Sequence, residues 1–292
     1  MKTPRRLSQI GSVLALSLLG GCAAPRAVLW DGTSVPAGEV EGHLGAVGSA
    51  PTATMGALGT AGLDAAKGVA NGRDSLNDSA LYRHAVRVLV SGGMDMPGAT
   101  FVGSLHVGLG RGFEIGYRRE GAANAWSLRW QFLAAGEDGW NAGSAIQYSS
   151  QDYDLPFALG DLQQFLGYKL ERKDVSVPVV FSRPFGRDGR FGSLALGVVG
   201  GWTQVEYGFD PNGLYRQWGG HVEALEILPQ QSSSFFSWGT MFLLKGGYKY
   251  VWLKVGLTTL YQDYGSFRVP GTDPIVLSGF SILPSVGVEF RI

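Results

Sequence analysis

The chain has 292 residues, with 24 Lys+Arg balanced by 24 Asp+Glu, one cysteine and 45 glycines. Charged residues make up 16% and aromatics 12%, against ~25% charged in an ordinary soluble domain. Zero net charge gives no basic footprint for nucleic acid, a lone Cys excludes an intramolecular disulfide framework or a Cys-based zinc site, and no apolar run reaches the ~18 residues of a spanning helix. Weak charge with abundant Gly and aromatics points to a membrane β-barrel rather than a soluble enzyme.

Residues 1–21 read as an export signal outside the fold: Lys2, Arg5 and Arg6 form a positive start, and Val13 to Leu19 a short apolar core. Leu19-Gly20-Gly21-Cys22 follows and resembles the lipobox of bacterial lipoprotein signal peptides. The resemblance implies cleavage before Cys22, acylation of its thiol (palmitate among the chains) and contact with the lipoprotein sorting machinery. An ordinary secretory signal with a chance Cys is the alternative. Ala23 follows where the retention signal for the inner membrane would have Asp, so sorting to the outer membrane is expected. Residues 22–37, rich in Ala, Pro, Gly and Ser, read as a lipidated flexible tether, and 38–292 as a single barrel domain.

Downstream, the dominant pattern is period two, the mark of strands with two different faces. Trp126, Leu128, Trp130 and Phe132 alternate with Ser127, Arg129 and Gln131; Val251, Leu253, Val255, Leu257 and Tyr261 share a face opposite Lys254, Gly256, Thr258 and Gln262. About ten such segments are expected, near 38–48, 100–108, 112–119, 125–134, 140–149, 175–184, 191–207, 236–247, 250–264 and 279–292, within a range of eight to twelve strands. Most are near the ~9–11 residues a tilted strand needs to cross a bilayer.

Tight connections at 109–111, 135–139, 186–189 and 248–249, most of them bearing Gly or Asp, alternate with long ones at 49–99, 150–174, 208–235 and 265–278, with 120–124 the short exception. Outer-membrane barrels alternate in this way, with short periplasmic turns and long outer loops. The fold expected is an all-β, antiparallel, up-and-down transmembrane barrel, with both termini periplasmic and the Cys22 lipid in the periplasmic leaflet.

The polar face separates this from a soluble barrel turned inside out. It carries Gly, Ser, Thr, Ala and Gln with few charges, while Trp126, Trp130, Trp202, Trp238, Tyr117, Tyr148 and Tyr261 lie on the apolar face, where amphipathic rings suit a membrane interface. Glu114, Arg118, Arg129, Lys245, Lys254, Glu289 and Arg291 fall on the polar face with both signs mixed. Such charges require partners if buried, so a plugged lumen with an internal ion-pair network is expected. The stretch 53–70 reads as a small-residue helix or a loop, 81–91 as an extension of the following hairpin or an extra strand, and 158–171 and 220–228 as short helices.

The last eight residues, Ser285 to Ile292, match the C-terminal β-signal of outer-membrane barrel proteins, with Ser285, Gly287, Phe290 and Ile292 in the recognised positions. The final residue is Ile where Phe is usual. With the lipobox, the chain resembles small Gly-rich bacterial outer-membrane β-barrel proteins, which implies contact with the barrel-assembly machinery and with outer-membrane lipids. It implies no catalytic residues.

His43 and His106 sit on the polar face of their strands, where filling the lumen explains them better than catalysis. His221, with Glu223 and Glu226 nearby, and Asp161, with Asp152 and Asp154, are weak candidates for a general base or metal ligand at the barrel rim. The omptin-type proteases, also ten-stranded, use rim carboxylates, but the likeness is in strand count alone. No phosphate-binding loop, metal site or cofactor is expected. The leading expectation is a non-enzymatic barrel acting as a membrane anchor, interaction scaffold or narrow pore. The alternatives are a barrel-embedded hydrolase and a soluble lipoprotein barrel binding an apolar ligand inside.

Overall fold

A computed structural model describes residues 26–60, 91–92, 94–134, 139–153, 168–186, 190–209, 228–267 and 274–292. They form ten strands: β1 (Val40–Pro51), β2 (Gly98–Gly110), β3 (Phe113–Glu120), β4 (Ala123–Leu133), β5 (Asn141–Tyr153), β6 (Tyr168–Phe185), β7 (Gly192–Phe209), β8 (Leu228–Tyr248), β9 (Val251–Phe267) and β10 (Ile275–Arg291). Each pairs antiparallel with its sequence neighbours, and β1 pairs with β10 from Glu41↔Arg291 to Pro51↔Ser281, which closes the barrel. Closure leaves no free edge over the span from Glu41↔Arg291 to Pro51↔Ser281.

The period-two pattern becomes two faces. Along β4, Trp126, Leu128 and Trp130 are exposed on the outside, while Ala125, Ser127 and Arg129 are buried inside. Along β9, Val251, Leu253, Val255 and Leu257 point out, and Trp252, Lys254, Gly256 and Thr258 point in. The outside is therefore a belt of large apolar side chains, with Phe113–Trp130, Tyr117–Trp126 and Trp238–Tyr261 paired across strands. Water does not tolerate a continuous belt of this extent; a hydrocarbon layer requires it.

The two ends differ. At the turn end the connections are tight, as in Gly110-Arg111-Gly112, whose φ values of +89°, +52° and +81° lie in the left-handed region that glycine favours. At the loop end lie the connections after β1, β5, β7 and β9 and the two-residue link between β3 and β4. Strands β6 to β10 run 17–21 residues against 8–13 for β1 to β5, so the second half of the barrel projects beyond the first. The inner face of that projection holds Tyr207 against Phe267 and Phe235 against Tyr264.

Three expectations change. Ten strands are present, but the connections 150–174 and 208–235 are partly strand, since β6 begins at Tyr168 and β8 at Leu228. Above the apolar belt the outer face no longer needs hydrophobic residues, so runs such as Ser232-Ser233-Ser234 carry no alternation to read. The helix expected over 158–171 does not reach its end, because Leu170 is a buried strand residue of β6. Residues 52–60 are helical, while 61–70, 81–90, 158–167 and 220–227 lie outside the described residues.

The third change concerns the tether. From Arg26 onward it is not a flexible linker: Ala27, Val28, Leu29, Trp30 and Val35 are buried in a core shared with Val47, Val102, Val180, Leu243 and Leu260 from around the barrel wall. The small-residue composition that reads as a linker is also what a narrow lumen admits.

Leu128 is 48% exposed at the centre of β4. Leu128→Arg is expected to destabilise the protein folded into lipid vesicles by ~2–4 kcal/mol, the cost of Arg on the lipid face near mid-bilayer, measured by denaturant titration. In a barrel whose outside faced water the same change would be neutral.

Candidate functional site in the barrel lumen

A barrel of ~8 strands is filled by its own side chains; ten strands leave space for more. Here residues 26–35 occupy it with no strand partner, bending at Gly32. Their backbone groups are satisfied by side chains of the wall. Arg118 Nη1 donates to the Ala27 carbonyl at 2.6 Å and Lys254 Nζ to the Leu29 carbonyl at 2.8 Å. The Val28 amide donates to Thr258 Oγ1 at 3.0 Å, the Val35 amide to Glu114 Oε2 at 2.7 Å and the Ser34 amide to Gln131 Oε1 at 2.8 Å. Buried backbone without such partners would cost heavily. Trp30 lies beneath Arg129, 5.4 Å from its guanidinium carbon, in a gap kept open by Gly143, where a Cβ would approach the indole to 2.5 Å.

The mixed charges pair as expected. Arg129 bonds Glu114 at 2.8 Å, Arg291 bonds Glu41 at 2.9 Å, Arg118 pairs with Glu120, and Glu289 bridges Lys245 and Lys254. Sequence reasoning missed Asp31, which lies on the inner segment, accepts from Ser193 at 2.8 Å and stands 3.5 Å from Lys245. It also missed Arg172–Asp174, with Arg172 Nη1 donating to the Met94 carbonyl at 2.5 Å. The inner-face parity of 172 and 174 was available as a signal, but both lie below the expected start of their strand or at its margin.

A second segment packs inside the wall at the loop end. Ser91, Met94, Asp95 and Met96 are buried. Asp95 bonds Arg26 at 2.5 Å, Tyr264 Oη at 3.1 Å and Gln262 Nε2 at 3.3 Å, and accepts from the Ser281 hydroxyl. Burial pushes the Asp95 carboxyl up, but Arg26 beside it, Arg172 and the Ser281 hydroxyl hold it below the usual carboxylate range. At the turn end a cavity of about 290 Å³ is lined by Asp31, Ser34, Asn141, Lys245, Trp252 and Arg291 among others.

His43 and His106 both face the lumen, 3% and 2% exposed. Each ring lies over a glycine of the adjacent strand, Gly287 for His43 and Gly116 for His106, where a Cβ would clash. Both rings pack within the wall, with His106 Nδ1 3.7 Å from Glu114. Ser285 and Gly287 point inward on β10, and Phe290 covers Gly42 across the closing seam. Asp152 is exposed on β5. Cys22, His84, Asp154, Asp161, His221, Glu223 and Glu226 lie outside the described residues. Among the described residues, no group of three or more His, Cys, Asp or Glu is arranged to hold a metal ion.

Glu289 is the keystone of the turn-end network, 1% exposed between two lysines. Glu289→Gln removes the charge that Lys245 and Lys254 share and leaves Lys254 among neutral acceptors, at an expected cost of ~3–5 kcal/mol, the range for breaking a buried pair. Adding Lys254→Met should recover part of that loss. Denaturant midpoints of Glu289→Gln, Lys254→Met and the double variant check the coupling; independent, additive losses would refute it.

No protein-family model and no curated protein matches the chain. It is similar to solved structures of small outer-membrane barrels. Neisserial surface protein A matches with TM-score 0.34 and 10% identity, over 86% of this chain and 95% of that one. The N-terminal β-barrel domain of Pseudomonas aeruginosa OprF matches with TM-score 0.29 and 11% identity, over 88% and 100%. Ail of Yersinia pestis, the attachment invasion locus protein, solved with the heparin analogue sucrose octasulfate, matches with TM-score 0.29 and 8% identity, over 88% and 99%.

Proposed function

We propose that this protein is a non-enzymatic barrel of the bacterial outer membrane, a membrane-embedded scaffold that presents its loop end for interaction and does not conduct. The observation that carries the reading is the filled lumen: residues 27–30 form an apolar plug inside a wall whose charges are paired. The apolar belt supports membrane embedding, and a soluble barrel with an apolar ligand pocket is at odds with it, since Leu128, Val255 and Val286 face outward while Glu114, Lys254 and Glu289 face inward. The lipobox at Leu19 to Cys22 and the β-signal at Ser285 to Ile292 support acylation of Cys22 and use of the barrel-assembly machinery.

Two measurements test the reading. The unheated protein is expected to resist SDS and to run apart from the boiled form, because the strands pair around a closed ring. Reconstituted in a planar bilayer, the full chain is expected to give no steady conductance. Stable open channels would favour the pore reading instead. Incorporation of labelled palmitate, abolished by Cys22→Ser, tests the acylation.

A further inference from the structure

The inner segment has a direction. At one end, the Gly38 amide donates to the Gly108 carbonyl at 3.0 Å, beside the tight turn between β2 and β3. At the other, Arg26 bonds Asp95, which the Ser49 hydroxyl approaches to 3.3 Å. Ser49 is paired with Gly98, the first residue of β2, at the loop end. Between these points the segment meets Glu114 and then Asp31's partners, followed by Lys254, Thr258 and Arg118. Read from Arg26, the chain descends the lumen from loop end to turn end, reverses at 37–39, and returns as β1.

Below Arg26 the lumen is occupied by residues 27–35 of the same chain, so the chain that precedes Arg26 leaves toward the loop end. We propose that the N-terminus is carried through the barrel and displayed on the loop side, opposite the C-terminus. Cys22 lies four residues before Arg26, within ~14 Å of chain reach. An acyl anchor there would enter the leaflet on the loop side, not the periplasmic leaflet that strand parity alone implies. The wall closes at the β1–β10 seam, so the segment can be enclosed as the seam forms. An acylated end then never has to be drawn through a filled lumen. This inference rests on the membrane-barrel reading above.

The test uses the full chain in the outer membrane of intact cells. Single cysteines are added at Ala24→Cys, at Ala122→Cys to mark the loop end and at Arg111→Cys to mark the turn end, and each is exposed to a membrane-impermeant maleimide before and after permeabilisation. Positions 111 and 122 are exposed in the structure, so neither change disturbs packing. The expected result is that Ala24→Cys labels on intact cells to the extent of Ala122→Cys, while Arg111→Cys labels only after permeabilisation. If Ala24→Cys follows Arg111→Cys, or never labels, threading is wrong although the barrel reading stands. If Ala122→Cys and Arg111→Cys do not separate, the membrane-barrel reading falls and takes the inference with it. A parent chain that itself labels has a free Cys22 thiol, and the side on which it labels then decides in place of Ala24→Cys.

Discussion

Filling a lumen that ten strands make wide enough to admit a length of chain is the constraint on which the rest of this structure depends. A void there would forfeit dispersion contacts on every wall residue, and a water-filled one would leave a channel. The chain answers with its own backbone. An extended segment is a demanding filler, because each residue brings a donor and an acceptor that no ladder satisfies. That demand explains where the wall keeps its long cations: Arg118 and Lys254 cap the Ala27 and Leu29 carbonyls, while Thr258 and Glu114 accept from the Val28 and Val35 amides.

The same constraint organises the charges. Lys254 and Arg118, having capped carbonyls, are themselves buried cations and need carboxylates, which Glu289 and Glu120 supply. Lys245 shares Glu289 and faces Asp31 of the inner segment. Replacing such a network with apolar groups would often be no less stable in isolation, but apolar groups would leave the inner segment's backbone unsatisfied. The ion pairs therefore serve docking as much as packing. The glycines of the wall have a matching role, since Gly116, Gly143 and Gly287 leave room for His106, Trp30 and His43.

Much of this was legible in the sequence. Strand number, the turn ends and the facing of Trp126, Leu128, His43 and Lys254 all follow from period two, because a strand between hydrocarbon and a polar lumen has no freedom about which face carries which residue. The pattern fails where one of the two environments is missing. Above the belt, Ser232 to Ser234 meet no hydrocarbon and alternate in nothing, so the extensions of β6 and β8 were hidden. The inner segment was hidden for a different reason. Ala27 to Trp30 touch wall on all sides and carry no periodicity, and Asp31 and Arg26 find partners 214 and 69 residues away, a distance at which no local pattern survives.

The distribution of partners also bears on how the barrel closes. The inner segment contacts Glu114 and Arg118 of β3, Gln131 of β4, Ser193 of β7, Lys245 of β8 and Lys254 and Thr258 of β9. These strands lie in both halves of the sheet, so neither half alone offers the full set of caps, and the segment gains most of its contacts only as the halves meet. Conversely, β1 follows the segment after a short reversal at 37–39, so docking the segment places β1 at the turn end, next to the β10 residues with which it must pair. Filling the lumen and closing the seam are then one cooperative step, and the part of the chain with the weakest local signal is the part that joins the two halves.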